Sequence, residues 1–254
     1  MTRRLTRAKT RIAEAGIPYR VPTGSALTER LPGVLAVLYL LFTHGYNADG
    51  RPAFAEEAIR LARLVRRLMP DQGEVSALLA LFLFQHSRRE TRRDGQGNLL
   101  TLDRQDRRRW DHAAIAEGLR VLDGAPEAGP YALQARIAAC HATAASADAT
   151  DWPAIATWYD RLAELQPSPV IELNRAVAHG YAHGPAAGLA QARAGGALDD
   201  YPLAVAAEAD LLARHGRRER AATLFRQAAA VAHSEPERRA LLDRADEAAS
   251  HSSG

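Results

Sequence analysis

The stretch EADLLARHGRRERAATLFRQAAAVAHSEPE, residues 208–237, decides how this chain folds. A helical pattern runs into Gly216 and stops. A second begins at once and carries Ala221, Leu224, Phe225 and Ala228 on one face before Pro236. Small residues let two paired helices approach, and the single large ring of Phe225 fills the gap between them. Two looser copies lie upstream. WYDRLAELQPSPVIELNRAVAHGYAHGPAAGLAQA, 158–192, turns at Leu165-Gln166-Pro167, and EEAIRLARLVRRLMPDQGEVSALLALFLF, 56–84, is fainter.

This alternation of small and large residues in repeated hairpins is that of tetratricopeptide-like repeats, which stack into a solenoid with a concave face. An irregular helical bundle is the alternative. Composition agrees with helix throughout: among 254 residues, 47% are hydrophobic and 25% charged, with Ala, Leu and Arg dominant. The expected class is all-α. Helices are read over 3–15, 30–44, 53–68, 74–92, 105–122, 130–145, 152–165, 169–183, 185–194, 202–215, 217–232 and 236–249. RDGQGNLLTLD, 93–103, breaks the period and reads as an extended arm or small hairpin. The expected organisation is a basic helix over 1–16 and a helical bundle over 17–124 with its arm at 93–102. Repeats follow over 125–249, and a disordered tail over 250–254.

Net charge is +3 and Lys9 is the sole lysine, so the arginine content is no nucleic-acid signature by itself. With Cys140 as the one cysteine, an internal disulfide is excluded and a reducing cytoplasm is the expected compartment. The apolar run 34–42 falls short of the roughly 20 residues a bilayer-spanning helix needs, so no membrane is expected.

No phosphate-binding glycine loop, nucleophile elbow or metalloprotease helix is present. His179 and His183 are one turn apart but lack a third ligand, so neither a metal nor a cofactor is expected. Cys140 reads as a small buried hydrophobe. What remains is LTLDRQDRRRWDHAAIAEGL, 100–119. Read as a helix start, Asp103 or Asp106 caps it, Arg107 pairs with Asp111, and Trp110 packs inward above Ile115 and Leu119. Four arginines in six residues exceed what capping requires, and Arg and Trp are enriched at binding hot spots. Docking patch and well-capped helix start both stand at this point.

RRLTRAKTRIAEAGIPYRVP, 3–22, resembles the end of the region-four helix-turn-helix of extracytoplasmic-function sigma factors. The rest of the chain resembles a long carboxy-terminal extension carried by one subgroup of them. The matching segments are LAVLYLLFTHGY, EEAIRLARL, LDRQDRRRWDHAAIAEGL, GPYALQARIAACHA, TDWPAIATWYDRL, PSPVIELNRAVA and GPAAGL, in the family's order. Thr43-His44 stands where the subgroup usually has Asn-Glu. Region two and most of region four have no counterpart, so the chain is expected to be a carboxy-terminal piece of such a factor.

The resemblance implies a regulatory module without catalysis, whose partners are the sigma core regions and RNA polymerase. Promoter DNA would be engaged only through the full-length factor, with Arg4, Arg7, Lys9 and Arg11 available to phosphates. The implied partner surface comprises Arg104, Asp106, Arg107 and Asp111, with Arg60 in EEAIRLARL and Asn174 and Arg175 in PSPVIELNRAVA. Trp110 and Phe225, read from the helical patterns themselves, are the expected structural anchors. A competing reading makes the helical repeats a sensor for a ligand or peptide. A third, an enzyme, needs convergent titratable groups that the sequence does not display.

Overall fold

A computed structural model describes residues 7, 10–11, 14–15, 23–46, 51–125, 129–194, 202–232 and 234–250. The chain divides into two compact units, residues 1–37 and 38–254. It is all-helical. Among the described residues there are eleven α-helices and no strand beyond an isolated antiparallel bridge between Arg93 and Leu99. Of the basic helix expected over 1–16, Arg7, Thr10, Arg11 and Glu14 are helical, with Arg7 and Arg11 exposed. Arg4 and Lys9, and the tail 251–254, lie outside the described residues.

Helix α1, Ser25–Tyr46, is longer than the apolar run inside it. Its 22 residues make it long and apolar enough, by length and composition, to cross a membrane, unlike the nine-residue run weighed from the sequence. Its end belongs to the second unit, where Phe42 stacks on Phe82 at 4.2 Å between ring centroids. Phe82 sits on α3, Gly73–Ser87, which is buried on every side from Val75 to Phe84. A helix apolar all round must be central. Packed against it are α2, Pro52–Leu68, α4, His112–Asp123, and α5, Pro130–Thr143. Two glycines set the distances. Gly118 on α4 lets the Phe84 ring approach, and Gly129 leaves room for Glu74, whose carboxylate accepts the Tyr131 and Ala132 amides at 2.9 and 3.0 Å. An α3 side chain thus caps the start of α5.

The remaining helices are α6, Trp152–Leu165, α7, Pro169–His183, α8, Pro185–Ala194, α9, Pro202–Arg214, α10, Arg218–Ala230, and α11, Glu235–Ser250. Each packs against the next, apart from the shorter seam between α8 and α9. Proline opens or nearly opens α2, α5, α6 and α7, where its missing N–H costs nothing. Asp111, Asp151 and Ser168 cap α4, α6 and α7 by accepting third-position amides. Phe225, 1% exposed, sits with Ala221 and Leu224 of α10 against Ala209 of α9 and Ala245 of α11.

Two elements differ from the sequence reading. Helix α3 ends at Ser87 instead of running to residue 92, and a 3₁₀ turn, Arg89–Thr91, follows. The helix read over 105–122 is instead one 3₁₀ turn, Arg107–Arg109, followed by α4, with another 3₁₀ turn, Leu102–Arg104, just before it. Two successive aspartates explain the break. Asp106 accepts the Arg108 amide and Asp111 accepts the Ala114 amide, so each starts its own short element and the backbone between them stays extended. Upstream, residues 93–99 form a small hairpin closed by Asp94, which accepts the Gln96 and Asn98 amides while Gly97 takes φ +83°.

Candidate functional site

Everything around the 101–111 bend depends on Trp110. Its ring is 4% exposed, and its indole N–H donates to the Thr91 hydroxyl at 2.9 Å. The Asp111 amide donates to the Ser87 carbonyl at 2.8 Å, and the Gln105 side chain donates to the Leu100 carbonyl at 3.0 Å. The bend is therefore tied both to the end of α3 and to the hairpin.

Arg107 does not pair with Asp111, contrary to the helical reading. With no helix between them, the two side chains are not one turn apart, and each has another task. The Arg107 guanidinium lies 4.6 Å over the Trp110 ring. Its Nη1 donates to the His141 and Ala144 carbonyls at 2.6 and 3.1 Å. Those carbonyls end α5, so Arg107 is a cation at a helix C-terminus, where the macrodipole favours it. Burial pushes its pKa down, and Arg88 nearby adds to that. Asp106 pairs with Arg108 at 3.0 Å, an ion pair whose arginine is 90% exposed, and Arg109 is exposed beside it. Hydrogen bonding from Arg108 holds the Asp106 carboxyl below its usual range.

Behind the bend opens a cavity of about 810 Å³. Thr101, Arg104 and Arg107 form one part of its wall, His141 of α5 and residues 147–150 a second, and residues of α6, α7, α9 and α11 the rest. A ladder of rings crosses it. His141 meets Trp152 edge-on at 5.2 Å, Trp152 stacks on Tyr181 at 4.2 Å, and the Arg214 guanidinium lies 3.9 Å over Tyr181. The Tyr181 hydroxyl donates to Asp210 at 3.0 Å, and Asp210 also accepts from Arg244. Arg104 pairs with Glu247. Burial, reinforced by Asp210, pushes the Tyr181 hydroxyl up to about 12. Burial, with Arg88 and Arg107, pushes His141 down to about 4.

Of the residues expected at a partner surface, Arg104 and Arg107 line this cavity, while Asp106 and Asp111 belong to the bend. The others are not brought to it. Arg60 makes a two-pronged, solvent-exposed pair with Glu57 on α2. Arg175 pairs with Asp160 at 2.6 Å, Asp160 also meets His179 at 2.9 Å, and Asn174 is exposed. Among the described residues no group of three His, Cys, Asp or Glu side chains could hold a metal ion. Cys140 is half-buried, and burial raises its thiol pKa. Sequence reading missed Trp152, Tyr181, Arg214 and Arg244. Their one local signal is aromatic residues on alanine-rich helices, and spacing gives no hint that they meet.

A family of unknown function, DUF6596, matches residues 30–126, a span from α1 through the bend to the end of α4. A protein of Rhizobium meliloti (strain 1021), described as uncharacterized, is 43% identical over 241 residues, which is 91% of this chain and 57% of that relative. The chain thus spans little more than half the length of that relative. No solved structure matches it.

Proposed function

We propose that this chain is a regulatory, non-catalytic module of a bacterial extracytoplasmic-function sigma factor, acting in the cytoplasm by docking on the sigma core regions or RNA polymerase. The observation that carries the reading is the bend at 101–111. It is irregular, yet fixed by buried Trp110, and it holds Arg108 and Arg109 out in solvent. A fixed turn presenting exposed arginines suits recognition of an acidic protein surface. In this account α6–α11 are tetratricopeptide-like repeats, with Phe225 filling one hairpin as the sequence pattern suggests. Promoter DNA is reached through the full-length factor, where Arg7 and Arg11 lie on the expected basic helix. Further support comes from the Rhizobium relative, whose greater length leaves room for additional regions.

The test is a pull-down with the 254-residue chain against core polymerase and, separately, against isolated sigma regions two and four of such a factor. Retention of either supports docking. Retention of neither at low salt, where charge-driven association is strongest, removes it. The cavity favours a second reading, a ligand sensor.

A further inference from the structure

We infer that the 810 Å³ cavity is a binding site for a small organic anion, a carboxylate or phosphate ester carried on a flat apolar body. Its size falls within the roughly 300–1,000 Å³ of small-molecule pockets. Four arginines and four acids line it, and two pairs close on themselves, Arg104 with Glu247 and Arg244 with Asp210. Arg107 and Arg214 are different. Among the described residues neither has a carboxylate partner: both Arg107 hydrogen bonds leave from Nη1, and Arg214 touches the face of Tyr181. Asp103 and Asp148 are exposed and pair with neither. Arg107 is half-buried and keeps donors with no counter-charge, a costly arrangement that an anion offsets, while Arg214 is exposed and its donors are open to the same anion.

The rest of the wall specifies the body of the ligand. Trp152 presents an aromatic surface, and Val177, Ala206, Ala207 and Ala213 are small enough to leave width beside it. Trp152 and Arg214 both lie against the Tyr181 ring, and Asp210 holds the hydroxyl, so the ladder is set in advance. Preorganised donors beside an aromatic wall favour a flat anion over inorganic phosphate. Unpaired arginines likewise disfavour a metal cation.

The experiment titrates the whole 254-residue chain with 1-naphthyl phosphate and 1-naphthoate, and with 1-naphthol and inorganic phosphate as half-ligands. Calorimetry gives affinity, and the NMR signal of the Trp152 indole N–H reports location. Both naphthyl anions should bind saturably and shift Trp152, each at least about tenfold tighter than either half-ligand. Arg214→Gln, which removes the guanidinium over Tyr181, should weaken both by roughly tenfold, as loss of a charged hydrogen bond does. Arg107→Met, which keeps an unbranched apolar stem but removes the guanidinium over Trp110, should do the same. Ala206→Phe, which places a ring in the cavity, should abolish binding. No binding by either anion overturns the inference, as does equal affinity for inorganic phosphate or 1-naphthol. Full affinity in Arg214→Gln and Ala206→Phe also overturns it. None of these outcomes bears on the docking reading, whose Arg108 and Arg109 lie outside the cavity and whose test needs no small molecule.

Discussion

At the scale of single residues, Trp110, Asp111 and His141 carry separable burdens. Trp110→Ala should cost about 3–5 kcal/mol, since it empties a buried site and removes the indole's hydrogen bond to the Thr91 hydroxyl. Asp111→Ala removes the cap of α4 and should cost about 1 kcal/mol. Both are read from denaturant midpoints. Arg108→Ala should leave the midpoint unmoved, because that side chain stands in solvent. His141 makes stability depend on pH. Its pKa falls from 6.5 to about 4 in the fold, so between those values the unfolded chain takes up a proton that the folded chain refuses. Stability should therefore drop as pH falls through that window, by about 3 kcal/mol in all, and level off below it. His141→Phe, which keeps a ring against Trp152, should flatten that part of the profile. An unchanged slope would mean that His141 titrates freely. The sequence showed that Trp110 turns inward. It could not show that Arg107 reaches across to α5, since its acceptors lie 34 and 37 positions away.

Helices were legible wherever chain punctuation was local. Proline at the start of α5, α7, α8 and α9, and glycine after α9, fix those elements to within a residue or two of the sequence reading. The bend at 101–111 was not legible, because capping and helix propensity compete over the same residues. Asp106 and Asp111 won by satisfying amides locally, and burial of Trp110 fixed the result. Packing between elements gives a sharper test. Helices α7 and α8 cross at Gly180 and Gly188, where a Cβ added to Gly188 would lie 2.7 Å from both the Gly180 Cα and the Ala176 carbonyl oxygen. Gly188→Ala would ordinarily help a helix by about 1 kcal/mol. Here it must push two backbones apart, and overpacking of this kind costs roughly 1–3 kcal/mol. A lower melting temperature is expected. A higher one would mean that the α7–α8 crossing is looser than described.

For the whole molecule, composition and period sufficed for an all-helical chain, but the cavity was invisible in them. Its wall draws on residues near 101–107, 141–152, 177–181, 206–214 and 244–247, and no local pattern joins those segments. The bend also serves both features, since part of it lines the cavity and part of it stands in solvent. Arg107 faces inward, whereas Arg108 and Arg109 face out. Charge reversal at the outward pair therefore probes docking without touching the cavity or the end of α5. The decisive measurement is the affinity of the immobilised 254-residue chain for core RNA polymerase and for the isolated sigma regions, compared between the parent and Arg108→Glu/Arg109→Glu. The account predicts saturable binding of at least one partner by the parent. The variant should melt at the same temperature and bind that partner at least about tenfold more weakly, because reversed charge meets the wrong sign across the interface. Equal affinity of the two proteins, or no binding by the parent, would contradict it.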